Sequence, residues 1–461
     1  MVFAIALVLL VIGSLIFHFM SPWWFTPIAS NWTTMDTTVI ITFWVTGIAF
    51  VALNLFMAYA VFRYRRKKGH KAHYEPENKK LEWGLTIVTT LGVAAMLAPG
   101  LFVWGQFVKV PRDAAIVEVM GQQWHWSYRF PGPDGVLGAT SAHRVTTEDP
   151  FGMDPDDPKG RDDVLVADPT LHLPINQPVK VLLRSKDVLH DFTVPQFRVK
   201  MDLVPGMQTF MWFTPTKTGE YEILCEELCG IAHYAMRGRV AVDDEKTFQA
   251  WLARYPTFGS TLERGAPDVE AGKTLFATCV ACHGETGHGN KDLNAPKLAG
   301  QEAWYLKRQL QNFKAGLRGG PDNDIYGKQM IPFAGMIADD TALRNIAAYI
   351  ESLPEQPPPH TVAGDATRGA KLFGTCAACH GDAGQGLAAT NAPRLAHMSD
   401  WYLARQLEHF KDGTRGGHHQ DLYGKQMAMI TLAIKDREAI DDLLAYINTL
   451  QPVDQRTAMT N

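Results

Sequence analysis

The residues of this chain with the clearest chemistry are its six cysteines, which all fall within three short strings. Four of them form two Cys-x-x-Cys-His strings, which are Cys279, Cys282 and His283, and Cys376, Cys379 and His380. This spacing is the signature of c-type haem attachment, in which two thiols bond the porphyrin and the adjacent His ligates the iron. A zinc site is the alternative for a single string. Two copies in matching surroundings favour two covalently bound c haems.

The two haem strings belong to an internal repeat. Shifting the sequence by 97 residues (279 to 376) superimposes the two copies without a gap, which indicates one duplicated domain. A thioether opposite His raises the haem potential, so a methionine is expected as the second axial ligand. The candidates are Met330 and Met336 in the first copy and Met427 and Met429 in the second. Only Met330 and Met427 superimpose, so we predict these two as ligands; the alternative is that they only fill core space.

The third string is Cys-x-x-x-Cys-Gly-x-x-His-x-x-Met, which begins at Cys225 and contains Cys229, His233 and Met236. Thiolate, thioether and imidazole ligands together select copper. Two thiolates suit a pair of bridged copper ions, and His190, just before a predicted strand, offers a second imidazole. A zinc site is again the alternative. Because cofactor patterns account for every cysteine, we predict no structural disulfide.

Three kinds of domain must position these residues. Residues 109–243 alternate short apolar and polar runs between turns, which is typical of an all-β sandwich. With the copper string at its end, this region resembles a cupredoxin-like domain. Residues 269–353 and 366–452 each begin and end with an amphipathic stretch of helical spacing, which predicts two all-α domains. With their haem strings, both resemble class I cytochrome c domains. We expect a linker helix at 244–268 and a stiff, proline-rich spacer at 354–365.

Residues 1–108 are predicted to form a membrane anchor. Three segments lack charged residues and are long enough to cross a membrane as helices, at 2–20, 39–62 and 83–108. The first could instead be a signal peptide, although it lacks a basic start and a small-x-small cleavage site.

Charge gives the orientation of this anchor. The loop 63–81 holds eight Lys and Arg residues and the loop 21–38 holds none, which predicts a multi-pass protein of the bacterial inner membrane with residues after 108 on the periplasmic side. The formal net charge of -4 gives no sign of nucleic-acid binding.

The third string resembles the dinuclear copper A (CuA) centre of cytochrome c oxidase subunit II. The resemblance implies that Cys225 and Cys229 bridge the two coppers. It also implies that His190 and His233 are terminal ligands and that Met236 is a weak axial ligand.

The resemblance extends to three more residues. Glu227 would ligate copper through its backbone carbonyl, and its carboxylate would face a magnesium ion at the interface with subunit I. Trp124 would be the electron-entry residue; the next residue, His125, stands where the family often has Tyr. Glu82 would mark the mouth of a proton pathway. A packed aromatic residue and a solvated flank are the alternatives for Trp124 and Glu82.

Together with the haem strings, the chain resembles subunit II of a caa-type haem–copper oxidase, although it has two cytochrome c units rather than one. The resemblance implies an enzyme subunit that passes electrons through two c haems and copper A to a separate subunit I. Oxygen would be reduced to water there, with proton pumping, in a complex that includes subunit III. The donor stays open between cytochrome c and a quinol:acceptor complex.

Two other functions stay open. One is the small subunit of a CuA nitric-oxide reductase, and the other is a membrane-tethered electron carrier without an oxidase. Glu82 and Glu227 favour docking to a subunit I, because a plain carrier needs neither residue. A quinol-oxidase subunit II is disfavoured, because that branch lacks the copper ligands found here.

Overall fold

The computed structural model describes residues 2–21, 26–66, 69, 71, 76–146, 149–166, 168–418 and 420–451. Lys67 and Lys68 of the basic loop lie outside the described residues, as do the ends of the first and last predicted regions, at positions 1 and 452. Three long helices begin the chain, α1 (Val2–Met20), α2 (Thr33–Arg63) and α3 (Lys79–Phe107).

These three helices are long and apolar enough to cross a membrane. With its 31 residues, α2 is about 46 Å long at 1.5 Å per residue, against a hydrocarbon core of about 30 Å. Both α2 and α3 begin several residues before the predicted charge-free segments, because polar flanking residues continue the helical hydrogen bonding. At the start of α3, the side chain of Asn78 accepts a hydrogen bond from the Leu81 amide at 3.1 Å.

The start of α2 is fixed to the domain that follows. Trp32 is buried and its Nε1 donates to the carbonyl of Trp212 at 3.0 Å. Two guanidinium nitrogens of Arg198 donate hydrogen bonds to the carboxylate of Asp36, at 2.6 Å and 3.0 Å. A two-point Arg–carboxylate pair fixes orientation as well as distance, so the anchor and the β-domain hold a defined relation.

Ten strands form two five-stranded sheets, with β1 (Ala115–Gln122), β2 (His125–Phe130), β3 (Val164–Val166), β4 (Thr170–Pro174), β5 (Val179–Ser185), β6 (His190–Val194), β7 (Val199–Leu203), β8 (Thr209–Phe213), β9 (Gly219–Leu224) and β10 (Arg237–Asp243). The strand orders are β3-β2-β1-β5-β8 and β4-β10-β9-β6-β7. Val119, Phe192 and Val240 are fully buried. This confirms the predicted cupredoxin-like sandwich.

The predicted linker helix is instead two short helices, α4 (Glu245–Leu252) and α5 (Phe258–Glu263). Phe248 and Trp251 of α4 join the sandwich core, and the Trp251 ring stacks on His172 with centroids 4.4 Å apart. The amphipathic face of α4 is therefore satisfied by the β-domain, which explains why the segment does not run on as one free helix.

Two helical units complete the chain. Unit 1 contains α6 (Val269–Phe276), α7 (Val280–His283), α8 (Ala303–Lys314), α9 (Ile325–Gly335) and α10 (Asp340–Ser352). Unit 2 contains α11 (Ala366–His380), α12 (Asp400–Lys411), α13 (Leu422–Thr431) and α14 (Arg437–Ile447). The two predicted all-α cytochrome c domains are confirmed.

The terminal helices cross at the same point in both units. Gly272 on α6 lies against the carbonyl of Asn345 on α10, and Gly369 on α11 lies against the carbonyl of Asp442 on α14. A Cβ at either glycine would be 2.0 Å from that oxygen. Only glycine allows the two backbones to approach so closely.

The proline-rich segment between the units takes part in their contact. Glu355 in this segment pairs with Arg394 of unit 2 and lies 3.6 Å from the amine of Lys297 in unit 1. The segment therefore fixes the two units to each other through charged side chains as well as separating them.

Candidate metal and haem sites

The predicted copper ligands converge at one end of the sandwich, around the loop between β9 and β10. The sulfurs of Cys225 and Cys229 are 3.7 Å apart and unbonded. The Cys225 sulfur is 4.0 Å from Nδ1 of His190, and the Cys229 sulfur is 3.4 Å from Nδ1 of His233. The Met236 thioether lies 3.8 Å from the Cys229 sulfur. The pairing of β6 with β9 brings His190 to the loop.

Burial and donor chemistry in this cluster fit copper. His190, Cys225 and Cys229 are buried, and their ligand atoms lie within 4.8 Å of one another. The backbone oxygen of Glu227 is 3.3 Å from the Cys225 sulfur, and Met236 is buried beneath the loop. Two thiolates, two imidazoles, a thioether and a carbonyl form a soft donor set, which favours copper over a hard cation.

Asp187 orients the first histidine. Its Oδ1 is 2.7 Å from Nε2 of His190, so Nδ1 is the nitrogen left to face Cys225. Burial lowers the pKa of His190, but its hydrogen bonds with Asp187 and Cys225 outweigh burial and raise the pKa overall. A carboxylate behind a ligating His fixes its tautomer and strengthens its donation to a metal.

The two thiols differ in acidity because they share one hydrogen bond. Hydrogen bonding between the two sulfurs, together with the hydrogen bond to His190, lowers the pKa of Cys225. The same pairing, together with burial, raises the pKa of Cys229. A bound cation must therefore displace one proton to be held by both sulfurs.

Trp124 lies directly against the loop between β9 and β10 (residues 225–236), which we call the copper loop. Its Nε1 donates to the carbonyl of Cys229 at 3.1 Å, and the side chain of Gln123 donates to the same oxygen at 2.8 Å. Trp124 is only 4% exposed. The structure thus brings the predicted electron-entry residue to the predicted copper ligands.

The two haem strings have the same internal geometry. Nδ1 of His283 is 2.8 Å from the carbonyl of Pro296, and Nδ1 of His380 is 2.7 Å from the carbonyl of Pro393. Nδ1 donates to the carbonyl, so Nε2 keeps its lone pair for an iron. Burial lowers the pKa of both histidines, which favours the neutral, ligating form.

One continuous cavity serves both strings. Its lining includes all the predicted haem-binding residues, which are Cys279, Cys282, His283, Met330, Cys376, Cys379, His380 and Met427. The two rival methionines lie elsewhere. Met336 is 67% exposed, and Met429 lines a separate cleft beside β9 and β10. The residues that line the cavity fit a covalent haem with a thioether ligand in each unit.

Sequence reasoning did not single out four arginines that line this cavity, Arg308, Arg318, Arg405 and Arg415. Arg318 and Arg415 cross between the units, and each donates to both Gln309 and Gln406 at 2.8–3.0 Å. In the described part of the chain their hydrogen-bond partners are amides and phenols. This surplus of positive charge fits the carboxylates that a haem carries. The repeated Arg-Gly-Gly was the signal available in the sequence.

Glu82 lies at the exposed start of α3, away from the other predicted site residues. Its Oε1 accepts a hydrogen bond from the Asn78 amide at 3.3 Å, which helps to cap the helix. Within this chain the residue therefore has a local structural contact.

The fold and the two kinds of site define a membrane-anchored electron-transfer protein of the cupredoxin and cytochrome c classes. Residues 115–242 match the family model for the periplasmic domain of cytochrome c oxidase subunit II. Residues 269–354 and 366–451 each match the model for cytochrome c.

Two relatives agree with these matches, and the chain is also similar to one solved structure. An alternative cytochrome c oxidase subunit 2 from Bradyrhizobium diazoefficiens is 57% identical over 266 residues, 58% of this chain and 96% of that protein. Cytochrome c4 from Azotobacter vinelandii is 34% identical over 202 residues, 41% of this chain and 93% of that protein. The crystal structure of cytochrome c4 from Pseudomonas stutzeri is 33% identical, with a TM-score of 0.33, and covers 40% of this chain and all of that chain. The chain belongs to the cytochrome c oxidase subunit II family, and the resemblance predicted from its sequence is confirmed.

Proposed function

We propose that this chain is the electron-accepting subunit II of a haem–copper cytochrome c oxidase of caa type. It would receive electrons through two c haems, hold them at a dinuclear copper centre and deliver them to subunit I. Oxygen would be reduced to water in that separate subunit, with proton pumping, and a subunit III would complete the complex. The copper and haem domains would face the periplasm of a bacterium.

The observation that carries this proposal is the convergence of the copper ligands. Cys225 and Cys229 would bridge the two ions, and His190 and His233 would each ligate one of them. Met236 and the carbonyl of Glu227 would be the weak ligands. The 3.7 Å spacing of the two sulfurs and the burial of both support a shared dinuclear site over two separate ones.

The haem units would supply one-electron carriers when loaded. Cys279, Cys282, Cys376 and Cys379 would bond the porphyrins, and His283 and His380 would be the proximal ligands. Met330 and Met427 would be the distal ligands, which the shared cavity supports. The Arg318 and Arg415 pair would neutralise haem carboxylates between the units.

Two further roles belong to the contact with subunit I. The carboxylate of Glu227, on the copper loop, would reach a magnesium ion at that contact. Glu82, in the first turn of α3, would open a proton pathway into subunit I; its exposed position at the start of that helix supports this role.

Purifying the complex from its native membrane tests the proposal. Two coppers and two c haems per chain are expected, together with a near-infrared mixed-valence copper band and haem a in the partner subunit. Replacement of either bridging cysteine (Cys225→Ser or Cys229→Ser) should abolish that band. Met201→Leu, a change elsewhere in the same domain, should retain it.

Two outcomes would contradict the proposal. If the active complex contained no copper, the proposed copper centre would be wrong. Haem b in the partner, with reduction of nitric oxide, would make the chain a nitric-oxide reductase subunit instead.

A further inference from the structure

Unit 2 is docked on the copper domain next to Trp124. The side chain of Gln426 donates to the backbone carbonyl of Trp124. The amide nitrogen of Asn391 lies 3.0 Å from Nε2 of His125, and the rings of His125 and Tyr423 meet edge to face with centroids 5.4 Å apart. These contacts join α13, and the loop between α11 and α12 that carries Asn391, to the start of β2.

The contact is also apolar. Cys379, Met429 and Ile430 of unit 2 pack against the core of the copper domain. The cavity that holds both haem strings reaches Trp124 and Ala232. Unit 2 therefore covers the indole that leads to the copper loop, and a protein in solution cannot reach it while this contact holds.

His125 is adapted to this contact. Burial, with the nearby cations Lys186 and Arg308, lowers the pKa of His125 to about 3, so the ring is neutral beside the Asn391 amide. His125, which stands where the family often has Tyr, is thus one of the residues that contact unit 2.

The equivalent face of unit 1 is open. Phe333, the counterpart of Ile430, is 43% exposed, and Cys282, the counterpart of Cys379, is also exposed. Leu293, near the same haem string, and Ile325 and Met336, at the two ends of α9, are 50%, 64% and 67% exposed. We call these five residues the unit 1 face. An exposed apolar cluster next to a redox centre is typical of a docking surface.

We propose, building on the proposed function, that electrons enter this chain at the unit 1 face from a soluble class I cytochrome c and leave from unit 2 beside Trp124. The chain itself contains the precedent for each contact. Unit 2 already docks a redox domain with the face that unit 1 leaves open, and the two units already pair as one cytochrome against another.

One electron moves in each transfer. It would leave the ferrous donor, which becomes ferric, and pass by way of the haems that units 1 and 2 would hold to the copper that Cys225 and Cys229 would hold, which would be reduced by that one electron. No bond or proton changes place. Because the unit 1 face is mainly apolar, the donor reaction should depend only weakly on salt.

Two pairs of substitutions in the intact complex separate entry from exit. Gln426→Ala with Met429→Asp disturbs the unit 2 contact, and Gln329→Ala is the matched control in unit 1. Ile325→Asp with Met336→Asp places charges on the unit 1 face. The copper band and the c-haem spectra establish first that each variant is loaded.

Internal transfer is followed by flash photoreduction of the c haems and the rise of reduced copper. Entry is followed by oxidation of reduced mitochondrial cytochrome c as the probe. The unit 2 pair should slow internal transfer at least about tenfold, since a charge forced into a docked contact weakens it strongly. The unit 1 pair should slow oxidation of the probe by a similar factor and leave internal transfer unchanged. Gln329→Ala should leave internal transfer unchanged, and Gln426→Ala alone should slow internal transfer to a smaller extent than the pair does.

The result distinguishes two kinds of failure. If the wild-type complex has no copper band or c haems, the proposed function itself fails. If it is loaded but the unit 2 pair slows only the donor reaction, or the unit 1 pair slows internal transfer, the order of the units is reversed. If the loaded wild type does not oxidise the probe, a class I cytochrome c is not the donor.

Discussion

Units 1 and 2 have nearly the same interior and very different surroundings. In both, the proximal histidine donates to a proline carbonyl at 2.7–2.8 Å, and a glycine allows the terminal helices to cross. Outside, Ile430 of unit 2 packs on the copper domain, whereas its counterpart Phe333 is largely open. A duplicated domain therefore keeps what its cofactor needs, and a few side chains on α9 and α13 decide what each copy contacts.

The helix crossing tests whether the two interiors are truly equivalent. Gly272→Val and Gly369→Val should each lower the free energy of unfolding of their unit by about 3 kcal/mol, because the new side chain would meet a backbone carbonyl. Thermal unfolding of the haem-loaded chain measures this loss. Gly374→Ala, where a Cβ meets nothing within 4 Å, should instead stabilise unit 2 slightly. A large loss in only one unit would contradict the equivalence.

The proposed axial ligands, Met330 and Met427, should also behave alike in the two units. Met330→Leu and Met427→Leu should each lower the midpoint potential of one haem, by on the order of 100 mV, because the thioether that favours ferrous iron is lost. Redox titration followed by visible spectra measures the two potentials. Met336→Leu and Met429→Leu serve as controls and should leave both unchanged. A shift in either control would assign the ligand to the wrong methionine.

The smallest expected effect is a pH dependence of folding stability that arises in unit 1 and not in unit 2. Lys297 of unit 1 corresponds to Arg394 of unit 2, and burial lowers the pKa of Lys297 to about 8. An unfolded lysine keeps a pKa near ~10.4, so the unfolded chain binds more protons between these values. Stability should therefore rise by about 2 kcal/mol as the pH increases from about 8 to about 10.

Chemical unfolding at several pH values measures this rise. Lys297→Met should flatten it, and Lys371→Met, which changes a lysine on α11, should not. A rise that persists in Lys297→Met would assign the effect to another group.

The sequence predicted the composition of both kinds of site, but not how the sites are arranged. Ligand spacing identified Cys225, Cys229, His233 and Met236 because one loop carries them all. His190 could be named because a resemblance supplied its place. The docking of Gln426 on Trp124 joins positions about 300 residues apart, and no local pattern encodes such a contact. The identical Gln329 makes no such contact with the copper domain among the described residues, so the motif alone could not reveal it.

Helix and linker boundaries were less predictable for a similar reason. The segment after β10 has helical periodicity, but Trp251 finds a partner ring in His172 and ends up in the sandwich core. The segment 354–365 was predicted to be only a stiff spacer, yet Glu355 forms ion pairs with both units. Tertiary contacts of single side chains decided both cases.

The half-buried position of Cys379 has a consequence for biogenesis. Forming a thioether requires that the thiol and the porphyrin vinyl group meet in an enzyme that can reach both. Cys379 packs against the copper domain, whereas Cys282 stays exposed. We therefore expect haem attachment at Cys379 to be easier before unit 2 closes onto the sandwich than after.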